Sequence, residues 1–265
     1  MDSRTFEALI AEAERATFEG WDFSRLDGRL VEAPPPFDYL AAVRGRMPGA
    51  DAILDLGTGG GEMLAQIAPF PALTVATEAW GPNVPVAARR LTPLGARVVF
   101  AEGAPENWET IPTPRRASPA LPFGDAAFDV VIDRHESYLP AEVFRVLKPG
   151  GWFVTQQCGG THHADLNDLL GLPRPRYAAW GLAPAEAQLR AVGFADIEGR
   201  EAFGDTRVHD VGAIVYYLRA LPWQAPRFRA RDHLPALRTL HEQIIADGPL
   251  TIRSHHFLVE ARKPG

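Results

Sequence analysis

The chain has 265 residues, of which 46% are hydrophobic and 23% charged, and carries a formal net charge of −6. That length allows one large α/β domain or a domain with a cap, with enough apolar content for a sizeable core. The acidic balance gives no general attraction to polyanions; the single cysteine, Cys158, excludes an intramolecular disulfide or a thiolate cluster; and no apolar run approaches the ~20 residues that span a bilayer.

The first residues, Met1-Asp2-Ser3-Arg4-Thr5-Phe6-Glu7, lack the charged-then-apolar layout of a signal peptide, so a soluble, cytoplasmic protein is expected. Phe6, Leu9, Ile10 and Ala13 recur at helical spacing and predict an amphipathic helix over 4–17. Trp21 and Phe23 follow, then Pro34-Pro35-Pro36, which cannot be helical. Residues 1–40 therefore read as a helical cap or lid ahead of a main domain over 41–265.

From residue 51 short apolar runs alternate with helical stretches. Strands are predicted over 52–56, 73–77, 97–100, 128–132 and 152–155, and helices over 61–68, 83–92 and 139–147. A Pro-rich loop runs from 103 to 125. Continuous apolar strands separated by helices imply a parallel sheet covered on both faces. Further on, Pro184 and Gly193 bracket a helix over 184–192, and a strand begins at 195–198. Residues 210–221 suit a strand or a helix; a cap at Asp210 and the stop at Pro222 favour the helix. Leu234, Leu237, Leu240 and Ile244 mark a long helix, and 257–261 a closing strand.

The first strand runs into Asp55-Leu56-Gly57-Thr58-Gly59-Gly60-Gly61-Glu62. Glycines there let the backbone turn sharply and approach a ligand closely. Glu62 stands where a dinucleotide-binding loop places its third glycine, and no Gly-Lys-Ser/Thr follows. Glu78 ends the second strand, where a carboxylate can accept hydrogen bonds from both hydroxyls of a ribose. Asp55 and Glu62 add negative charge, which suits a ligand bearing an ammonium and a sulfonium better than a pyrophosphate.

Residues 53–62 resemble the first motif of the class I S-adenosylmethionine-dependent methyltransferases, and Glu78 matches that family's ribose-binding acid. Leu121-Pro122-Phe123-Gly124-Asp125-Ala126-Ala127-Phe128-Asp129-Val130-Val131 is similar to its approach to the fourth strand. Arg145-Val146-Leu147-Lys148-Pro149-Gly150-Gly151 is similar to its turn before the fifth, and Leu189-Arg190-Ala191-Val192-Gly193-Phe194 to the segment before the sixth. The resemblance covers residues 40–203. It implies a Rossmann-like α/β fold with a seven-stranded, mostly parallel sheet whose last strand is antiparallel, and S-adenosyl-L-methionine as cofactor. Asp55, Gly57, Thr58, Gly59, Gly61, Glu62, Glu78, Ala79, Asp133 and Arg134 are its implied neighbours. Many members hold the adenine with an acid in a Gly-Asp-Ala run; here Ala101-Glu102-Gly103-Ala104 displaces that acid by one residue, and Glu102 and Gly103 take the place.

Polar residues at a strand's carboxyl end face the site in this architecture, which singles out Asp133 to Tyr138. His135 is the candidate general base with Glu136 to orient it; the competing reading has His135 only shape the pocket. Gln156 and Gln157 also end a strand and are candidates to face the acceptor. His162-His163 with Asp165, and His255-His256, fit no recognised metal-ligand spacing, so no metal is expected. Arg227, Arg229 and Arg231 make only a weak basic patch, and Asp133-Arg134-His135 departs from the Asn-Pro-Pro-Tyr-type motif of nucleic-acid amino methylators. A small-molecule acceptor is therefore favoured over RNA or protein. The alternatives are a non-catalytic S-adenosylmethionine-binding module and an NAD-dependent oxidoreductase, which Glu62 disfavours.

Overall fold

The computed structural model describes residues 5–18, 21–104 and 120–265. Most of the Pro-rich loop expected over 103–125, residues 105–119, lies outside the described residues, as do Arg4, Glu19 and Gly20.

Helix α1 spans Phe6–Arg15; Thr5 caps it by accepting the Ala8 N–H at 3.2 Å, and its buried face is the predicted Phe6, Leu9, Ile10 and Ala13. Strand β1 (Leu30–Glu32) precedes α2 (Tyr39–Arg46), which Asp38 caps through the Ala41 N–H at 3.0 Å. Then come β2 (Ala52–Leu56), α3 (Glu62–Ala65), β3 (Leu73–Glu78), α4 (Val84–Leu91) and β4 (Arg97–Phe100). Strand β5 (Phe128–Arg134), α5 (Pro140–Val146) and β6 (Leu147–Cys158) complete this half. After α6 (Asp165–Leu169) and α7 (Leu182–Ala191) the chain forms β7 (Ala195–Val208), α8 (Val211–Ala220), α9 (Leu234–Asp247) and β8 (Leu250–Arg262).

The strands form one sheet in the order β1-β7-β8-β6-β5-β2-β3-β4. The pairs β2–β3, β2–β5, β3–β4 and β5–β6 are parallel, and β8 runs antiparallel to β6. The sheet has eight strands rather than seven because β1 joins β7 antiparallel, Leu30 opposite Val208. Three residues between a turn and a triple proline carry no readable periodicity, which is why this strand is silent in the sequence. Helix α3 stops at Ala65, short of the expected 68: its last bonds tighten to Gln66 N–H on Met63 O and Ile67 N–H on Leu64 O, both 3.1 Å, as Pro69 approaches.

Two compact units divide the chain. One gathers residues 1–35, 160–179 and 202–255; the other 36–159, 180–201 and 256–265. The N-terminal segment, read from sequence as a cap ahead of the main domain, lies up to Pro35 in one unit with two later segments. The core of the first unit is α8, buried at every position but Arg219, packed with Leu9, Leu166, Leu237 and Leu240. A helix apolar on all sides is a core helix, and each fully buried aliphatic side chain contributes ~1.5–3 kcal/mol. In the same unit Trp21 stacks on Phe23 and lies 5.9 Å from Trp223, so it is part of an aromatic cluster. The core of the second unit runs along β2, β3, β5 and β6 through Ile53, Ala76, Val130, Ile132 and Val154. Among the described residues no helix is long and apolar enough to cross a membrane.

Candidate active site

All residues of this site belong to the second unit. Strand β2 is buried along its whole length and delivers the chain into the glycine loop at the carboxyl end of the parallel strands. Gly57 has φ +60° and Gly61 φ +82°, the left-handed region that glycine tolerates. A Cβ on Gly57 would collide with the Glu136 side chain, and one on Gly61 with Leu91 of α4. The loop is pinned to β3: Thr58 N–H donates to Thr77 O at 2.8 Å, and Gly61 N–H closes back on Thr58 O at 2.9 Å. Glu62 turns back onto Gly60 and ion-pairs with Arg90, so its charge is partly compensated.

Three buried carboxyls underlie the loop. Asp55 is pushed up to about 7 by burial, with the Thr58 hydroxyl working against the shift and the Glu78 charge adding to it. Burial also raises Glu78, opposed by the N–H groups of Trp80, Gly59 and Ala79 and by the Asn83 side chain; the Trp80 N–H sits 2.7 Å from Oε1. Asp133, fully buried, is raised well above the carboxylate range by burial and then by the Glu136 charge, while Thr155 opposes. Its Oδ1 accepts from Thr155 Oγ1 at 3.0 Å and from Gln157 Nε2 at 2.6 Å. Tyr39, which no sequence pattern singles out, is buried here; burial and the Asp55 and Asp133 charges raise its hydroxyl.

A cleft opens above the loop. Of the expected residues, Gly57, Ala79, Glu102, Gly103 and Glu136 line it, with Tyr138 and Glu142. Glu78 closes β3 immediately before Ala79. Asp55, Thr58, Gly59, Gly61, Glu62, Asp133 and Arg134 do not line the cleft; they form the loop and the strand ends around it. No lysine, arginine or histidine lines it among the described residues, whereas three glutamates do. Glu142 is paired with Arg145 at 2.7 Å, and Glu102 and Glu136 line the cleft beside it.

His135 and Glu136 part company. His135 adopts φ +64°, a left-handed backbone that costs a non-glycine residue ~1–3 kcal/mol, held by its N–H on Gln156 O at 2.9 Å. Glu136 then folds over Gly57 and Gly103, its backbone carbonyl accepting from Gln157 Nε2 at 2.9 Å. The His135 ring instead meets Cys158 and His256, and does not line the cleft. Its solvent-accessible ring is nonetheless held below the usual imidazole range by the protein packed around it; Cys158 opposes, and Arg134 and His256 add to the lowering. Burial raises the Cys158 thiol, but the His135 and His256 imidazoles outweigh that and bring it down to about 6. Gln157 serves the turn after β5 rather than the cleft.

In the first unit three other histidines are occupied structurally. His163 Nε2 lies 2.8 Å from Thr206 Oγ1, His255 Nδ1 2.7 Å from Thr161 Oγ1, and His162 Nδ1 accepts the His255 N–H at 3.2 Å.

Residues 54–155 match the type 11 methyltransferase family model, described as a methyltransferase domain. Among solved structures, a candidate methyltransferase from Bacillus halodurans C-125 is 18% identical with a TM-score of 0.55, covering 85% of this chain and 97% of that one. The YcgJ protein from Bacillus subtilis is also 18% identical, TM-score 0.56, covering 86% and 98%. A functionally unknown protein from Deinococcus radiodurans R1 is 14% identical, TM-score 0.57, covering 91% and 98%. Likeness at these identities establishes the fold. No curated protein matches the chain in sequence. Family match and fold coincide over the strands that carry the glycine loop and Glu78: residues 54–155 are similar to a methyltransferase domain, and the chain shares the fold of these solved structures.

Proposed function

We propose that the protein methylates a small-molecule acceptor that docks beside Glu136, using S-adenosyl-L-methionine as donor. The observation that carries this reading is the charge of the cleft: Glu102 and Glu136 line it, and among the described residues no basic side chain does. Such walls repel a pyrophosphate or a nucleic-acid backbone and attract a ligand bearing a sulfonium and an ammonium. The loop suits the donor in its backbone as well, since Gly57 lines the cleft with no side chain of its own and a Cβ there would meet Glu136.

In this reading Glu78 holds the ribose hydroxyls, while Gly57, Thr58, Gly59 and Gly61 bring backbone close to the donor. Ala79, Glu102 and Gly103 flank the adenine. Asp55, Asp133 and Arg134 set the strand ends beneath, and Glu62 braces the loop through Arg90. The donor supplies a methyl on a sulfonium, which an acceptor lone pair takes as the sulfur leaves as a neutral thioether. The chain's own task is then alignment, worth far more than any single contact in such displacements. Glu136 receives the hydrogen bond of the acceptor's N–H or O–H and so aims its lone pair.

Methyl-labelled donor incubated with fractionated metabolites, RNA and protein tests this. Label is expected in the small-molecule fraction, and Glu136→Gln is expected to lower kcat by at least about 10-fold with a smaller change in the donor's KM. Label recovered only in RNA or protein, or no transfer to any fraction, overturns the proposal.

A further inference from the structure

We propose that His135, Cys158 and His256 form a binding site for one divalent ion of the zinc class, leaving a fourth coordination position to water or a ligand.

The three residues lie far apart in sequence and are assembled by strand register. Arg134 stands opposite Gln156 on β6, and Cys158 stands opposite His256 on β8. The three side chains therefore come from neighbouring strands at one level, at the carboxyl end of β5 and β6. Their ligand atoms, two ring nitrogens and one sulfur, all lie within 4.8 Å of one another. Cys158 Sγ is 3.8 Å from His256 Nδ1, and the two imidazole rings stack with centroids 5.9 Å apart at 23°.

A tetrahedral zinc ion held at ~2.3 Å from sulfur and ~2.0–2.1 Å from nitrogen needs ligand atoms roughly 3.3–3.6 Å apart. The Cys158–His256 pair is within a few tenths of an ångström of that already. The remaining closure falls to His135, which sits exposed on the turn after β5. The chemistry agrees with the geometry. One thiolate and two imidazoles are borderline-soft donors that select zinc over magnesium or calcium, and three protein ligands are the pattern of sites with an open position. Binding there would also fix the left-handed turn that carries Glu136 into the cleft.

The test uses the full chain, stripped with a chelator and titrated with Zn2+ against a chromophoric competitor, and separately with Co2+ followed by absorption. Because Cys158 is the chain's one cysteine, a sulfur-to-cobalt charge-transfer band reports this site alone. One equivalent of Zn2+ is expected, with that band and the visible bands of tetrahedral Co2+. The nearly isosteric Cys158→Ser should abolish the charge-transfer band. It should also weaken Zn2+ binding by more than the ~10–100-fold that even an outer-shell partner is worth. His256→Ala should weaken it in the same way, with circular dichroism confirming that each variant folds. Co2+ without a thiolate band, or Cys158→Ser binding Zn2+ as tightly as the unaltered chain, overturns the site and leaves a plain cysteine–histidine contact.

Discussion

Asp55 sits beneath the glycine loop at 6% exposure and holds its proton up to a pH of about 7. A carboxyl whose folded pKa is raised binds its proton more tightly in the folded chain. Its contribution therefore favours folding below the unfolded value near ~4 and drains away as pH rises to about 7, at ~1.4 kcal/mol per unit. Asp55→Asn, uncharged throughout, should gain stability relative to the unaltered chain by a few kcal/mol between pH 5 and pH 7.5, read from urea unfolding at each pH. A difference that does not move with pH would contradict the burial of this carboxyl.

What was legible at this scale was local. Gly57, Glu62 and Glu78 announce themselves by position relative to the ends of two strands. The separation of His135 from Glu136 was not legible, because sequence adjacency says nothing of a left-handed φ at His135, which sends the two side chains to different neighbours. Cys158 and His256 were beyond local reading too, being joined by an antiparallel register across 98 residues.

Among the elements, α8 shows how a cap decides an ambiguous segment. Its apolar run Ile214-Val215-Tyr216-Tyr217 serves a strand equally well, yet Asp210 accepts the Ala213 N–H at 3.0 Å and the helix forms. Asp210 does more than cap: Arg29 grips it with Nε at 2.8 Å and Nη2 at 2.6 Å, the two side chains 17% and 9% exposed, and also reaches Glu12 of α1. Asp210→Ala should therefore cost the cap, ~1 kcal/mol, and also strand a partly buried guanidinium, together about 3 kcal/mol by urea unfolding. Asp210→Asn keeps the acceptor and should cost less. A loss below about 1 kcal/mol for the alanine variant would show that the ion pair carries nothing. β2, β3 and β5, which sequence placed within a residue or two, are runs buried nearly throughout; β6, β7 and β8 run longer than expected because their outer parts alternate or turn polar, where an apolar-run criterion stops.

Over the whole molecule, the segments that resemble the family fall in the second unit, whose parallel strands are contiguous in sequence order and so leave a readable rhythm. The first unit draws on three separated stretches, and no periodicity within any one of them reveals that they share a core. In the proposed reading, donor specificity belongs to the second unit, the acidic cleft and buried Glu78 together. Calorimetric titration with S-adenosylmethionine, S-adenosylhomocysteine and NAD tests it most directly. The two adenosyl ligands are expected to bind at one site per chain and NAD not to compete. Glu78→Ala should weaken both adenosyl ligands by about 10- to 100-fold, the loss of hydrogen bonds to a charged group. Preferential binding of NAD, or adenosyl affinity indifferent to Glu78, would contradict the account.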